Sequence, residues 1–149
     1  MLKYQGREDI GVFLGKQFGL ELKNSEPYKP ITAIIPVPLH PKRLKERGYN
    51  QAEAIARGLS EAMGAPVLTD VLLRNVYTQT QTKKSRMERL QNMAGAFTVN
   101  NPEKVESGHV LLVDDVITTG ATLETCAQTL LDSADVKVSV GTLAYATNA

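Results

Sequence analysis

Two adjacent acids, followed by a loop of threonine and glycine, are the residues of this sequence best suited to chemistry. Val110–Thr122 reads VLLVDDVITTGAT, so four apolar residues typical of a buried strand deliver Asp114 and Asp115 to its carboxyl end. Consecutive strand residues point to opposite faces of a sheet. We therefore expect the chain to turn directly after Val113, which would bring both carboxylates into one cleft.

The loop after the two acids is suited to hold a phosphate. Ile117–Thr122 leads directly into an amphipathic helix, and the N–H groups and dipole at the start of a helix attract anions. Gly120 permits close approach of a ligand to the backbone, and the threonine hydroxyls add donors. The chain contains neither G-x-x-x-x-G-K-S/T nor G-x-G-x-x-G, which excludes a nucleoside triphosphatase loop and a dinucleotide fingerprint. A single phosphate fits best, with the acids beside it placed for sugar hydroxyls or Mg²⁺. An ordinary strand end and helix cap would not require these thirteen residues in this order.

A proline-rich stretch followed by basic residues is the second candidate site. Ile35–Arg43 reads IPVPLHPKR, and Lys45 and Arg47 follow it closely. Prolines restrict the backbone, so a loop shaped for phosphate oxygens would lose little entropy on binding. A rigid surface turn with solvated lysines explains the same residues, and the pattern alone leaves both interpretations open.

The charge of the chain is unevenly distributed. The formal net charge is +1, yet residues 40–89 hold ten basic and five acidic side chains, a net +5 that leaves −4 for the remainder. A polyanionic ligand and a basic surface without a ligand both account for this pattern. Only Tyr49 and Tyr77 are aromatic in this span, so a stacking platform for single-stranded nucleic acid is not indicated.

The apolar pattern predicts strands alternating with amphipathic helices. Helices are expected at 8–22, from the cap Asn50 to the stop Gly64, and after Gly120; strands are expected at 32–37, 67–74, 96–99, 110–113 and 136–143. This order favours an α/β fold in which a parallel sheet carries helices on both faces. With 149 residues and no linker or repeat, we expect one domain spanning 1–149.

The composition excludes several classes of protein. Cys126 is the one cysteine, so the sequence holds no intramolecular disulfide and no cysteine cluster for a structural zinc ion. No apolar run reaches the roughly 18 residues of a membrane helix, and we expect no membrane insertion. A cytoplasmic location is expected, because secreted proteins of this size commonly carry paired cysteines.

The two candidate sites together resemble one family. VLLVDDVITTGAT resembles the phosphoribosyl pyrophosphate (PRPP) motif of type I phosphoribosyltransferases, and PVPLHPKRLKERGYNQAE resembles the corresponding segment of the ComF/GntX branch. Residues 72–97 match the same branch at similar spacing. The resemblance covers nearly the whole chain and implies the type I fold, a parallel sheet flanked by helices with a flexible hood loop at roughly 74–97. Members of this branch usually carry a Cys-rich zinc-binding segment before this domain; these residues lack one, so no zinc is expected here.

The resemblance also assigns roles to residues. It places the ribose hydroxyls on Asp114 and Asp115, with Mg²⁺ held through the ligand and the same two acids. The 5-phosphate would lie on Ile117, Thr118, Thr119, Gly120, Ala121 and Thr122. The pyrophosphate loop would comprise Val37, Pro38, Leu39, His40, Lys42 and Arg43. The hood would contribute Lys83, Lys84, Arg86 and Arg89.

These assignments predict a domain of nucleotide metabolism that binds PRPP or a nucleoside monophosphate and transfers the phosphoribosyl group to a nitrogenous base. The alternative is a non-catalytic accessory protein of competence and DNA uptake, which senses PRPP or binds single-stranded DNA or the competence machinery. The residues that would recognise a base carry no motif, and the sequence leaves the oligomeric state open.

Overall fold

The structure is a computed structural model that describes residues 2–25, 30–39, 41–75, 95–117 and 120–145. Within them, the helices are α1 (Leu2–Lys23), α2 (Pro41–Arg47), α3 (Gln51–Met63) and α4 (Ala121–Ser133), with a short 3-10 turn at Pro102–Lys104. The strands are β1 (Ala33–Pro36), β2 (Leu72–Arg74), β3 (Phe97–Val99), β4 (His109–Ile117) and β5 (Lys137–Tyr145). None of the described helices is both long and apolar enough to cross a membrane.

The central sheet is parallel, as the sequence pattern predicts. Its strand order is β1-β4-β5, with Ala33 opposite Val110 and Pro36 opposite Val113. All four residues of β1 are buried, which explains why this strand reads as a continuous apolar run.

The predicted strand at 67–74 is wrong over most of its length. Val67 forms one isolated parallel bridge to Ile34, and the regular strand β2 begins only at Leu72. The polar pair Thr69 and Asp70 lies in a bend between them, exposed to solvent. β2 then pairs with β3 in a separate antiparallel ribbon, so these two strands do not extend the parallel sheet.

Alternation along β4 divides the apolar core into two. Val110 and Leu112 face α4 and the β2-β3 ribbon, where Leu123, Cys126 and Leu130 are fully or almost fully buried. Leu111 and Val113 face the opposite side, against Ile55 and Leu59 of α3 and against Phe18 of α1. Helices therefore cover both faces of the sheet, as predicted for this α/β arrangement.

Two glycines allow α1 and α3 to pack with their backbones in contact. A Cβ atom built on Gly58 would lie 2.0 Å from the carbonyl oxygen of Val12, and one on Gly15 would lie 2.1 Å from that of Ile55. These distances are far below van der Waals contact, so no side chain fits at either position. This close crossing fixes α1 against the helix that borders the candidate site.

Both predicted ends of α3 are confirmed. The Asn50 side chain accepts a hydrogen bond from the N–H of Ala52 at 3.0 Å, and Gly64 ends the helix with a left-handed φ of 80°. These are the conformations for which asparagine at an N-cap and glycine at a C-terminus are preferred.

Candidate ligand-binding site

β4 carries both acids within the strand, so the expected turn directly after Val113 is wrong. The strand continues to Ile117, and it pairs Asp114 with Thr142 and Ile117 with Tyr145 of β5. The hydrogen bonds to β5 stabilise the extended backbone past the acids. Strand alternation accordingly places Asp114 on the face of α4 and Asp115 on the face of α1 and α3.

The two carboxyl groups still interact with each other. The backbone N–H of Asp115 donates to Oδ1 of Asp114 at 2.9 Å. Burial, followed by a hydrogen bond between the two side chains, raises the pKa of Asp114 from 3.8 to about 7, and the positive charge of Arg74 opposes this shift. On the same face, burial and then the charge of Asp114 raise the pKa of the Cys126 thiol to about 12. The site therefore contains a carboxyl group that changes its charge near neutral pH.

This raised pKa makes a prediction about stability. The folded protein retains the Asp114 proton up to about pH 7, whereas the unfolded chain releases it near its ordinary value of 3.8. The free energy of unfolding should therefore fall as the pH rises between these values. Asp114→Asn removes this titration, so the variant should gain thermal stability over the wild-type protein at pH 8 and gain much less at pH 5. Melting temperatures measured by circular dichroism from pH 5 to pH 8 test this expectation.

Asp132→Asn is a matched control because it makes the same charge change at an exposed site on α4. The difference between the melting temperatures at pH 5 and at pH 8 should be the same in this variant as in the wild-type protein. If Asp114→Asn keeps the wild-type slope of stability against pH, Asp114 does not titrate as described.

A basic cavity of about 430 Å³ lies on the Asp114 side of the site. Lys42, Arg43, Glu46 and Arg74 line it, and we call these four residues the basic cavity. Arg74 is the last residue of β2, and its guanidinium carbon lies 5.3 Å from the centroid of the Phe97 ring. Its positive charge acts to lower the pKa of Asp114. A cation held by an aromatic face is positioned before any ligand arrives. The structure places Arg74 close enough to Asp114 for its charge to act on that carboxyl group.

The residues of the expected pyrophosphate loop fall into two groups. Val37, Pro38 and Leu39 form an irregular segment after β1, whereas Lys42 and Arg43 lie in the first turn of α2 and not in a loop. Pro41 begins α2, a position where proline is favoured because its missing N–H would have no helical partner. The N–H of Val37 donates to the carbonyl oxygen of Val113 at 2.8 Å, so this group already has a partner within the fold. His40 lies outside the described residues.

The expected phosphate loop is described only at its ends. Ile117 closes β4, Gly120 caps α4 with a left-handed φ of 79°, and Ala121 and Thr122 open that helix. The predicted helix start after Gly120 is thus confirmed, and its N-terminus lies beyond the carboxyl end of the strand that carries the acids. Two residues of the expected phosphate loop, Thr118 and Thr119, lie outside the described residues.

Most of the expected hood also lies outside the described residues, including Lys83, Lys84, Arg86 and Arg89. The two ends of this stretch are described. The N–H of Asn75 donates to the carbonyl oxygen of Ala96 at 2.7 Å, and its side-chain amide donates to that of Gly95 at 2.6 Å. Residues 75 and 95 therefore meet at the end of the β2-β3 ribbon, next to Arg74.

A second, apolar cleft of about 330 Å³ lies on the Asp115 side. We call it the apolar cleft, and it is lined by Ile10, Gly11, Leu14, Tyr49, Gln51, Ala54, Ile55 and Asp115. Nothing in the sequence places α1 beside the acids, because an amphipathic pattern shows which face of a helix is buried but not its partner. The sequence also does not show that Glu46 lines the basic cavity, because this depends on where α2 packs.

Comparison with known proteins identifies the family. The profile of the phosphoribosyl transferase domain matches residues 44–149, which include α3, the acids and the start of α4. The chain belongs to this family. The resemblance to phosphoribosyltransferases that the sequence indicated is thereby confirmed.

Named relatives of this phosphoribosyltransferase-like domain support the ComF branch. Competence protein F of Haemophilus influenzae is 39% identical over 111 residues, which are 74% of this chain and 48% of that protein. Competence protein ComFC of Bacillus subtilis is 32% identical over 130 residues, 87% of this chain and 50% of that protein. The chain thus spans about half the length of these two relatives.

The fold agrees with solved phosphoribosyltransferases. The structure resembles glutamine PRPP amidotransferase from Bacillus subtilis, solved in complex with ADP and GMP, with a TM-score of 0.63 and 23% identity. The match covers 91% of this chain and 26% of that one. At this identity the likeness establishes the type I phosphoribosyltransferase fold, which confirms the predicted fold class.

Proposed function

We propose that this phosphoribosyltransferase-like domain binds PRPP together with Mg²⁺ and transfers its phosphoribosyl group to a nitrogenous base. The observation that carries the proposal is the basic cavity beside Asp114, at the carboxyl end of the parallel strand that leads into α4. Ligands of open α/β sheets bind at this end of the strands. PRPP combines a ribose with phosphate groups at two positions, so it requires polar residues of both signs close together.

Each part of PRPP has a partner of suitable chemistry. Ionised Asp114 and Asp115 would accept hydrogen bonds from the ribose hydroxyls. The start of α4 at Gly120 would hold the 5-phosphate, because helix N-termini bind anions. Lys42, Arg43 and Arg74 would bind the pyrophosphate, since phosphate oxygens are bound most strongly by charged donors.

The same residues fit the proposed magnesium ion. Mg²⁺ commonly takes one or two carboxylates and completes its coordination with phosphate oxygens and water. Asp114 and Asp115 supply two such carboxylates, and the described residues contain no group of three or more His, Cys, Asp or Glu that would enclose an ion without the ligand. The raised pKa of Asp114 reflects its burial beside another carboxyl group, a situation that a nearby cation relieves. When bound, Mg²⁺ would neutralise charge on the pyrophosphate.

The transfer reaction follows from this arrangement. The bond between the anomeric carbon and pyrophosphate breaks, and its electron pair leaves with the pyrophosphate, whose charge the basic cavity stabilises. The positive charge that develops on the ribose is favoured by the carboxylates of Asp114 and Asp115. A ring nitrogen of the base then forms the new bond to that carbon with its lone pair, and the proton that this nitrogen carried passes to water.

The proposal predicts that the wild-type protein releases pyrophosphate from PRPP when Mg²⁺ and a suitable nucleobase are present. Lys42→Ala/Arg43→Ala should weaken PRPP binding by about 10-fold or more, because the loss of even one charge-assisted hydrogen bond costs roughly 1.5–3 kcal/mol. Isothermal titration gives the affinity, and a coupled pyrophosphate assay with each common nucleobase in turn gives the activity.

Lys16→Ala/Lys23→Ala is the matched control, since it removes the same charge from exposed positions of α1. This variant should retain the wild-type affinity for PRPP. An equal loss in both double variants would mean that general attraction, and not the basic cavity, holds the ligand. No binding of PRPP by the wild-type protein would refute the proposed function.

A non-catalytic role in competence is the second candidate, and the competence names of the two relatives favour it. In this role the domain would hold PRPP as a signal to a partner, or it would bind single-stranded DNA along its basic surface. Tight PRPP binding without pyrophosphate release, for any base, would indicate the sensor. DNA affinity that falls steeply with salt would indicate contacts to phosphates.

A further inference from the structure

Asn50 uses both ends of its side-chain amide to join two elements. Its oxygen accepts from the N–H of Ala52 at 3.0 Å and so caps α3, whereas its nitrogen donates to the carbonyl oxygen of Val37 at 3.1 Å. Helix capping requires only the oxygen, and serine or aspartate would supply it equally well. The contact to Val37 is therefore an additional function, which asparagine provides through its amide nitrogen.

Val37 in turn connects this helix to the strand of the two acids. Val37 is buried, with 6% of the residue's surface exposed, and its N–H donates to the carbonyl oxygen of Val113 at 2.8 Å. Val113 directly precedes Asp114. A continuous series of hydrogen bonds thus runs from α3 through the segment after β1 to the residue before the acids.

We propose that Asn50 is a positioning residue that fixes the segment after β1, and hence the proposed pyrophosphate residues, relative to Asp114 and Asp115. This inference rests on the proposed function, because it concerns how the two halves of that ligand site are held together. In the sequence, Val37 lies only four residues before Pro41, where α2 begins, and that helix carries Lys42 and Arg43. Without the Asn50 amide nitrogen, the carbonyl oxygen of Val37 loses its hydrogen bond to the start of α3.

A positioning role makes a prediction that a simple capping role does not. PRPP contacts both halves of the site at once, so its affinity depends on their relative position. Ribose 5-phosphate and inorganic pyrophosphate each need mainly one half. Loss of the hydrogen bond from Asn50 to Val37 should therefore lower the affinity for PRPP more than the affinity for either of these smaller ligands.

The test uses Asn50→Ser, which keeps a neutral cap for α3 and removes the amide nitrogen that donates to Val37. We expect the Kd for PRPP with Mg²⁺ to rise about 10-fold or more, and the Kd values for ribose 5-phosphate and for pyrophosphate to change less than about 3-fold. Asn50→Asp provides a second variant with a full cap and no donor. It should show the same preferential loss for PRPP relative to ribose 5-phosphate.

Gly64→Ala is the matched control. It strains the other end of α3, where the backbone is left-handed and an added Cβ would meet nothing within 4 Å. This variant should bind PRPP like the wild-type protein, although its helix is destabilised. Equal weakening of all three ligands by Asn50→Ser, or an unchanged Kd for PRPP, would overturn the positioning role while leaving the proposed function standing. Absence of PRPP binding in the wild-type protein would overturn both.

Discussion

Replacing both acids, Asp114→Asn/Asp115→Asn, is expected to raise the Kd for PRPP by at least about 100-fold. Each carboxylate would lose charge-assisted hydrogen bonds to a ribose hydroxyl, and two such losses at roughly 1.5–3 kcal/mol each correspond to 100-fold or more. The amide groups are nearly the same size and carry no charge, so the fold should persist. Isothermal titration with Mg²⁺ and PRPP measures the affinity, and circular dichroism verifies the fold.

The control for this variant is Asp132→Asn/Asp135→Asn. It makes the same change in net charge at two exposed positions near the end of α4. Affinity for PRPP should stay within about 2-fold of the wild-type value in the control, because exposed charges at a distance are screened by salt. Wild-type affinity in the Asp114/Asp115 variant would refute the assignment of the ribose to these residues.

The second large effect is expected from Gly58→Ala. An added Cβ would lie 2.0 Å from the carbonyl oxygen of Val12 and 2.6 Å from the N–H nitrogen of Lys16, so α1 must move away from α3. Neither neighbour is a side chain that can rotate. Overpacking commonly costs about 1–3 kcal/mol and more when backbone must move, and for a chain of this size we expect the melting temperature to fall by about 10 °C.

The sign of the change in stability shows whether the contact between α1 and α3 or the intrinsic helix propensity of alanine dominates. In an exposed helix, alanine is more stable than glycine by roughly 0.8–1 kcal/mol, so Gly58→Ala would stabilise a helix without a close neighbour. Glu61→Ala, at an exposed position of α3, is the control and should change stability by less than about 0.5 kcal/mol. Urea unfolding of the two variants gives both values. A gain of stability in Gly58→Ala would contradict the backbone contact between α1 and α3.

The sequence predicts those parts of the fold that local patterns determine. β1 is buried on both faces and therefore reads as an unbroken apolar run, and α3 carries both of its end signals, Asn50 and Gly64. The order of strands and helices then selects a parallel sheet, because parallel strands need crossover connections. The position of the acids directly after the buried apolar residues of β4 follows from the same pattern.

The remaining features depend on contacts between distant residues. β4 continues through the acids because β5 pairs with it, and a charged pair gives no local signal of that continuation. The strand expected at 67–74 is interrupted because Thr69 and Asp70 bend, while Val67 and Leu72 join different partners. Arg74 belongs to the site through the pairing of β2 with β3, which the sequence does not reveal.

The parallel pairing of β1 with β4 sets the relative position of the residues at the carboxyl ends of these two strands. Pro36 lies opposite Val113, so the segment that follows β1 and the two acids, which follow Val113 within β4, start at the same level of neighbouring strands. Neighbouring strands are about 4.8 Å apart. Backbone pairing alone therefore places the segment after β1 and the two acids side by side, before any side chain contributes to the site.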